Sequence, residues 1–306
     1  MPDPLTVAVA INPTAAFGRG RAVGPAVVAL LRERGHTVLE LVESDAEALR
    51  AAARAALDDP IAPLDAFVVV GGDGMVNLGV NLVAGTPTPL GIVPSGTGND
   101  MSRALGIPLG DPLAAVEGML DALDRGPRLI DAVRIDHGTA PHARSRRFAC
   151  VLSAGFDAIV NERANRMRRP RGRSRYTIAL LVELARLRPI DYRLVIDGVE
   201  RRERALLVTV GNSTSLGGGM RVTPGAVLDD GELDVMLVRQ LSRLAFLRIF
   251  PRVFAGTHVT DPHVVSLRAR SIRIEADGIV AYADGERIAA LPIDVAVEPG
   301  ALRVLA

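Results

Sequence analysis

The stretch VVVGGDGMVN at residues 68–77 decides the fold class, because it joins a strand-like run directly to a helix-like pattern. Its β-branched valines are typical of a buried strand. The glycines that follow lack a side chain, so this turn can adopt positive φ angles and let a ligand approach the backbone. A helix that begins there presents unpaired N–H groups, which suit a phosphate. The stretch therefore predicts a strand–turn–helix unit with a candidate anion site.

The same alternation runs through the first third of the chain. The segments TVAVAIN, HTVLEL, DAFVVV and PLGIVP are short apolar strand candidates, and helical patterns separate them. One helix is expected to begin with Ser44 as its N-cap and Glu47 three residues later as a capping box. Short apolar strands that alternate with helices are typical of parallel sheets covered on both faces. The sequence thus predicts an α/β fold with an N-terminal doubly wound, mostly parallel sheet and helices on both faces.

The second half of the chain has a different pattern. From residue 128 onward, strand-like segments follow one another with turns between them, and helical patterns remain only at 157–168, 174–188 and 242–255. Such a run of strands predicts a C-terminal, β-rich and largely antiparallel domain. We expect a first domain at residues 1–127, completed by residues 299–306, and a second domain at residues 128–298.

The composition narrows the chemistry. All 36 basic residues are arginine, which excludes a P-loop lysine, a protein-kinase strand lysine and Schiff-base catalysis. A phosphate would instead be bound by backbone amides, arginine or a metal. The net charge of +1 argues against a nucleic-acid partner, and the single cysteine, Cys150, is expected in the core. Without a leader pattern or a bilayer-spanning apolar run, a cytoplasmic location is the expectation.

Two further turns resemble the first in position. VPSGTGND at residues 93–100 follows a predicted strand, and Asn12 follows the first strand. Because the carboxyl ends of parallel strands share one edge, we expect these turns to line one crevice. Gly18, Gly20 and Gly24 only approximate a dinucleotide fingerprint, since they begin too far from the strand. Asp73 would repel a phosphate unless a cation lay between them, which suggests Mg²⁺; a capping aspartate is the alternative.

Taken in order, these motifs resemble those of the diacylglycerol kinase-like lipid kinases, which include bacterial diacylglycerol kinase, YegS-type enzymes and sphingosine kinases. The resemblance covers essentially the whole chain. It rests on Asn12-Pro13, GGDGM, PSGTGND, GFDA at 155–158, GGGMRVTPGAVLDDGELDV at 217–235, DGE at 284–286 and the C-terminal EPGALRVLA. It implies an ATP-dependent lipid kinase that requires Mg²⁺, with ATP between the two domains. Met75 replaces the family's threonine, and its backbone N–H would remain for the nucleotide.

The resemblance also implies the site residues. Asp284 would take the proton from a lipid hydroxyl, and Asp73 would orient Mg²⁺ for catalysis. Asp230 would hold a structural Mg²⁺ together with the carbonyls of Val227 and Glu232. The nucleotide would be bound by Asn12, Pro13, Gly71, Gly72, Asp73, Gly74, Met75, Asn77, Ser95, Gly96, Thr97, Gly98, Asn99 and Glu286. From the residues alone, DGE is a frequent hairpin turn and LDDGELDV a solvated turn, and both alternatives stay open.

The partners follow from the same resemblance. Seven arginines lie between Arg163 and Arg175, which predicts either a solvated surface or a peripheral contact with the inner face of an anionic membrane. Diacylglycerol or a related long-chain lipid alcohol at the membrane surface is the expected substrate, and a homodimer is one expected assembly. Three alternatives stay open: an NAD kinase-like small-molecule kinase, a phosphofructokinase-like enzyme, which shares GGDG but fits the second-domain motifs poorly, and a catalytically silent nucleotide- or lipid-binding protein.

Overall fold

The structure is a computed structural model that describes residues 4–12, 22–138, 142–167, 169 and 173–306, without the side chains of residues 173 and 174. The chain divides into two compact units. The first contains Met1–Ala132 and Glu298–Ala306, and the second contains Val133–Val297. The nucleotide- and lipid-binding roles expected for two domains stay predictions.

The first unit is built on parallel strands, three of which, at Thr6–Ile11, Ala66–Gly71 and Leu90–Pro94, are almost completely buried, whereas the edge strand Thr37–Val42 is mostly exposed. Their order in the sheet is the end of the C-terminal strand, then β4, β3, β1 and β2. Each named strand matches an apolar segment of the sequence, so the predicted parallel sheet is confirmed. The strands are β1 (Thr6–Ile11), β2 (Thr37–Val42), β3 (Ala66–Gly71) and β4 (Leu90–Pro94), with the C-terminal strand at Ile293–Leu305.

Helices cover both faces of this sheet. Adjacent residues of a strand point to opposite faces. In β4, Gly91 lies against Met119, whereas its neighbour Leu90 lies against Gly79. Met119 and Gly79 belong to different helices, α5 (Pro112–Arg125) and α3 (Asp73–Val83), which therefore pack on opposite faces, as the sequence predicts. The helices are α1 (Val23–Glu33), α2 (Ala46–Leu57), α3 (Asp73–Val83), α4 (Asp100–Leu105) and α5 (Pro112–Arg125).

The start of α2 corrects one expectation. Asp45, not Ser44, is the N-cap, because its Oδ1 accepts hydrogen bonds from the N–H groups of Glu47 and Ala48 at 3.0 and 2.9 Å. Ser44 instead donates its hydroxyl proton to the Asp45 carboxylate. An aspartate one residue later reaches the same backbone donors and adds a negative charge at the positive end of the helix dipole.

The second unit is β-rich and largely antiparallel, as expected. Its main sheet has the order β14-β13-β7-β9-β8-β12-β15, and β10 pairs with both β9 and β11. The strands are β5 (Arg128–His137), β6 (Arg144–Phe148), β7 (Val151–Gly155), β8 (Ile190–Ile196), β9 (Val199–Gly211), β10 (Leu233–Arg239), β11 (Val264–Ala269), β12 (Ser271–Glu275), β13 (Val280–Ala283), β14 (Glu286–Ala290) and β15 (Ile293–Leu305).

The predicted helices of this unit are present, although the third is shorter than expected. They are α6 (Phe156–Arg166), α7 (Arg173–Ala185) and α8 (Arg243–Ile249), and a 3-10 helix, Phe250–Val253, continues α8. The α-helix ends early because Pro251 has no N–H to donate and its ring clashes with the preceding turn. No helix among the described residues is long and apolar enough to cross a membrane.

Asp157, in the first turn of α6, should make stability depend on pH. Burial raises the pKa of this carboxyl to about 6, against the opposing effect of hydrogen bonds from Ser153 and the N–H of Ala158. Because the folded state holds the proton more tightly, this contribution to stability is complete below about pH 4 and is lost as the pH rises through about 6. Asp157→Asn should remove that loss and raise the unfolding free energy at neutral pH by roughly 2–3 kcal/mol.

Urea unfolding of the wild type and of Asp157→Asn between acidic and neutral pH measures the pH dependence that Asp157 contributes to stability. Asp191→Asn provides the control, since it makes the same chemical change at a side chain that is 87% accessible. Parallel pH profiles for wild type and Asp157→Asn would contradict the prediction.

Candidate functional site

Asn12, directly after β1, and the turns after β3 and β4 lie at the carboxyl edge of the parallel sheet. Gly71, the last residue of β3, pairs with Pro94, the last residue of β4, and the N–H of Ser95 donates to the carbonyl of Gly71 at 2.9 Å. Asn12 donates its backbone N–H to Val70 at 3.5 Å. The structure therefore brings together the turns that the sequence assigned to one crevice. Pro13, Gly18 and Gly20 lie outside the described residues.

Glycine is required in these turns for close packing rather than for its φ range. Gly72 and Gly96 face each other across the two turns, so that a Cβ on Gly72 would lie 3.1 Å from the Cα of Gly96. A Cβ on Gly98 would overlap the carboxylate of Asp73. Among the described glycines, those with positive φ do not include Gly71, Gly72 or Gly74, so this turn does not use the positive φ that glycine allows.

Asp73 joins the two turns through its carboxylate. Oδ1 accepts a hydrogen bond from the N–H of Asp100 at 2.8 Å, and Oδ2 accepts one from the N–H of Asn99 at 3.0 Å. Both donors lie at the start of α4, so Asp73 caps a helix other than its own. Burial raises the pKa of Asp73, and the neighbouring negative charge of Asp100 adds to this increase. The contacts of Asp73 are thus those of a helix-capping aspartate, which was the alternative interpretation. Its role toward Mg²⁺ stays a prediction.

Two other predicted nucleotide contacts are used within the fold. The side chain of Asn99 accepts from the N–H of Gly96 at 3.1 Å and donates to its carbonyl at 2.9 Å, which closes the second turn. The N–H of Met75 donates to the carbonyl of Gly72 at 2.9 Å. The expectation that this N–H remains for the nucleotide is therefore wrong. The buried Met75 side chain instead fills the space beside Gly71.

The remaining donors of the two turns are open. Within the part of the chain that the structure describes, the N–H groups of Gly72, Gly74, Thr97 and Gly98 make no hydrogen bond. Gly74 and Thr97 are exposed to solvent. The buried hydroxyl of Ser95 and amide nitrogen of Asn77 also have no partner among the described residues. Backbone donors without a side chain above them are what an oxyanion of a phosphate requires.

Asp284 lies in the second unit, in the turn between β13 and β14. Its φ of 48° and that of Gly285, 82°, are both positive, which is the two-residue hairpin turn that the DGE sequence favours. The side chain is nevertheless buried. Its carboxylate accepts hydrogen bonds from the N–H groups of Ala149, Cys150 and Val151 at 2.9, 3.0 and 3.1 Å. The turn therefore presents a carboxylate held by backbone amides.

Asn212 belongs to the same arrangement and was not predicted. It follows β9 directly and is fully buried. Its side chain donates to the carbonyl of Ala149 at 3.0 Å, and its N–H donates to that of Cys150 at 2.8 Å. Asn212 thus positions the amides that hold Asp284. A polar residue directly after an apolar strand was the available sequence signal.

Glu286 does not accompany Asp284. Strand pairing stops at Ala283 and resumes opposite it at Glu286, so the turn interrupts the alternation of side chains. As a result Asp284 is buried, whereas Glu286 is exposed. The condition for both carboxylates facing the same side, continued pairing through the motif, is not met. The role of Glu286 toward the nucleotide stays a prediction.

The candidate Mg²⁺ ligand Asp230 already has a cationic partner. One carboxylate oxygen accepts the N–H of Glu232 at 3.1 Å, and the other pairs with the guanidinium of Arg268, which also pairs with Glu232 at 2.9 Å. Among the described residues, no group of three or more His, Cys, Asp or Glu side chains is placed to hold a metal. Both oxygens of Asp230 are thus engaged, and the Mg²⁺ site that Asp230 would form with the carbonyls of Val227 and Glu232 stays a prediction.

The arginine-rich segment is partly neutralised. Arg163 pairs with Glu183, and Arg166 pairs with Glu162 at 3.0 Å. Arg168 and Arg171 lie outside the described residues. These ion pairs favour the solvated-surface alternative for the described part of the segment. Peripheral membrane contact through it, and a homodimer, stay predictions.

Gly98→Ala tests the packing of the two turns. The added methyl group would overlap Asp73 and displace its carboxylate from the amides of Asn99 and Asp100, at a cost of about 1–3 kcal/mol in unfolding free energy. Gly118→Ala is the matched control, because a Cβ there meets no atom and the residue lies inside α5. It should stabilise the protein by about 0.5–1 kcal/mol in urea unfolding. Equal stability of Gly98→Ala and wild type would contradict this account.

Arg268→Gln tests the relation between the guanidinium and Mg²⁺. Without the guanidinium of Arg268, the carboxylates of Asp230, Glu232 and Asp234 lose their neighbouring cation. The free energy of unfolding should therefore fall by about 1 kcal/mol, a small value because these ion pairs are exposed to solvent. Added Mg²⁺ should then raise the melting temperature of the variant more than that of wild type. Arg239→Gln, which breaks a comparable pair with Glu203, should show no such Mg²⁺ effect. Identical Mg²⁺ responses of wild type and Arg268→Gln would show that the two cations do not compete.

The matches to family models cover both units. A model of the diacylglycerol kinase catalytic domain matches residues 6–135. A model described as the YegS C-terminal NAD kinase beta sandwich-like domain matches residues 150–306. Together they contain the glycine turns, Asp230 and Asp284.

Individual relatives agree with these matches. The chain is 41% identical over 299 residues to a diacylglycerol kinase of Mycobacterium tuberculosis, which spans 96% of this chain and 93% of the relative. It is 28% identical over 246 residues to a diacylglycerol kinase of Bacillus subtilis, with coverage of 79% and 77%.

Solved structures show the same fold. The crystal structure of a diacylglycerol kinase from Bacillus anthracis has a TM-score of 0.68 at 21% identity, covering 98% of this chain and 96% of that one. Yeast NADH kinase has a TM-score of 0.58 at 13% identity, covering 98% and 82%. At these identities the likeness concerns the fold alone. The family matches and the identity to the mycobacterial relative show that the chain belongs to the diacylglycerol kinase-like family of lipid kinases.

Proposed function

We propose that this kinase transfers the γ-phosphoryl group of ATP to the hydroxyl of a lipid, with diacylglycerol or a related long-chain lipid alcohol as acceptor. The use of ATP as phosphoryl donor is supported by one observation, the pair of glycine turns joined by Asp73. Their backbone N–H groups at Gly72, Gly74, Thr97 and Gly98 are open. The lipid half is supported by the mycobacterial relative, which bears the name diacylglycerol kinase.

The first unit would hold the triphosphate through its backbone. No lysine exists in the chain, so amide donors and arginine must neutralise the phosphate charge. Amides fixed by strand pairing and by the Asp73 cap need little reorganisation when an anion arrives, which is the condition for efficient electrostatic stabilisation. Mg²⁺ bound with ATP would neutralise charge on the transferring group. The partly buried carboxylate of Asp73 fits a nearby cation, because such a charge offsets the cost of keeping it ionised.

Asp284 would receive the acceptor hydroxyl in the second unit. Its N–H donors at Ala149, Cys150 and Val151 stabilise the ionised carboxylate and fix its direction. A strongly basic group is not needed, because phosphoryl transfer passes through a loose transition state with little bond formation to the nucleophile. Orientation of the hydroxyl is then the main contribution of Asp284.

The NAD kinase-like alternative has one observation in its favour. The fold likeness to yeast NADH kinase shows that this architecture accommodates phosphorylation of a dinucleotide in another protein. Against it, the curated relatives at higher identity bear the name diacylglycerol kinase. Against a silent binding protein, the chain retains all three carboxylates that the family resemblance assigns to the reaction site, Asp73, Asp284 and Glu286.

Asp284→Asn should abolish lipid phosphorylation and leave ATP binding intact. The amide cannot supply the negative charge, and its NH₂ group would face the N–H donors that the carboxylate accepts. Wild type and variant are incubated with labelled ATP, Mg²⁺ and a total lipid extract, and the labelled products are identified. ATP affinity is measured in parallel by calorimetry, and melting temperatures show whether the variant is folded.

Three outcomes would count against the proposal. Full lipid phosphorylation by Asp284→Asn would remove Asp284 from catalysis. Label transferred to NAD and not to lipid would support the dinucleotide alternative. Binding of ATP without turnover on any lipid or on NAD would identify a silent protein. Asp277→Asn serves as the control for the same chemical change, since Asp277 is exposed and the amides at 149–151 donate to Asp284 instead.

A further inference from the structure

The outer face of α8 and the 3-10 helix after it carries a row of exposed apolar side chains. Leu244, Leu247 and Phe254 are 77%, 50% and 57% accessible, and Pro251 between them is also exposed. Positions 244, 247, 251 and 254 follow steps of three or four residues, which place side chains on one face of a helix. We call these four residues the α8 row. Large apolar side chains grouped in this way mark interaction surfaces rather than chance exposure.

The opposite face of α8 is fixed in the core, so the row has a definite direction. Phe246 and Ile249 are buried, and Phe246 packs edge-to-face against Phe156 with ring centroids 4.9 Å apart. Ser242 caps the helix by accepting the N–H of Ala245 at 3.2 Å. A helix with one anchored face and one apolar, accessible face is suited to docking without any rearrangement.

The ionised side chains of the segment that carries the row are all positive. Residues 240–260 contain Arg243, Arg248 and Arg252 and no aspartate or glutamate. Arg252 is engaged with Asp261 and with the carbonyl of Thr257. Among the described residues, the exposed Arg243 and Arg248 have no carboxylate partner. This differs from the segment between Arg163 and Arg175, where Arg163 and Arg166 are paired with glutamates.

We propose that the α8 row docks on the surface of an anionic lipid bilayer, with Leu244, Leu247 and Phe254 in the acyl boundary and Arg243 and Arg248 at the headgroups. Arginine can lay its aliphatic part along the apolar row while its guanidinium reaches phosphate oxygens. A face that is apolar in the centre and cationic at its sides is the pattern of interfacial helices. The inference deepens the proposed function and rests on it, because an enzyme acting on a membrane lipid must reach the bilayer surface.

Vesicle flotation with the full chain tests the surface. The vesicles are phosphatidylcholine alone and phosphatidylcholine mixed with phosphatidylglycerol. Leu244→Ser combined with Leu247→Ser should lower partitioning onto the mixed vesicles by about tenfold or more. Arg243→Gln combined with Arg248→Gln should lower it by about fivefold per arginine and remove the preference for phosphatidylglycerol. Because all four side chains are exposed, melting temperatures should stay at the wild-type value.

Matched controls lie elsewhere on the surface. Ile61→Ser removes an apolar side chain that is 91% accessible, and Arg201→Gln combined with Arg303→Gln removes two exposed charges. Both controls should keep wild-type partitioning. Equal partitioning of the α8 variants and these controls would overturn the inference. So would loss of self-association in the α8 variants with unchanged vesicle binding, which would assign the row to a second copy of the chain.

Phosphorylation of a dispersed short-chain diacylglycerol separates this inference from the proposed function. If the α8 variants lose vesicle binding and keep this activity, both statements hold. If wild type phosphorylates no lipid but floats in an α8-dependent manner, the proposed function fails and the docking surface stands. If lipid phosphorylation is present and flotation is independent of the row, only the docking surface fails.

Discussion

The carboxylate of Asp73 is the contact on which the candidate nucleotide site depends. It accepts hydrogen bonds from the backbone N–H groups of Asn99 and Asp100, and so connects the turn after β3 to the turn after β4. The tie is sterically possible only because Gly72, Gly96 and Gly98 have no side chain. Once the turns are joined, their unused N–H groups lie at one edge of a buried parallel sheet. A charged group in the middle of a glycine motif thus acts as a structural brace for the backbone around it.

The second unit also holds a carboxylate in place with backbone N–H groups. Asp284 is held by backbone amides at residues 149–151, and the carbonyls of that segment are held by Asn212 and Ser213. Strand β7 lies between the long strand β9 and β13, and these pairings bring the segments together although they are far apart in sequence. In a chain without lysine, main-chain donors fix both carboxylates, and arginine supplies the surface charge. Carboxylates that backbone donors fix in this way are already in position before the substrate binds, which agrees with a kinase.

Much of the fold could be predicted because it follows local patterns. The apolar strands, the intervening helices and the change to antiparallel strands are periodicities within short windows, and they are confirmed. The errors lie at the ends of helices, where a neighbouring residue determines the boundary. Asp45 rather than Ser44 caps α2, and Pro251 ends α8 early. At the site, the sequence indicated which turns would meet but not which atoms. It therefore missed Asn212 and expected a free N–H at Met75.

The sequence by itself determined the family, the two-part α/β and β-rich architecture and the edge of the sheet that carries the glycine turns. These depend on side-chain periodicity and on motif order, which are properties of the chain. Only the tertiary structure decided that Asp73 caps another helix, that Asp284 is buried while Glu286 is exposed, and that Arg268 pairs with the carboxylate of Asp230, the residue expected to hold a metal. Hydrogen-bond partners and ion pairs are chosen by proximity in space, and residues distant in sequence become neighbours only after the strands have paired.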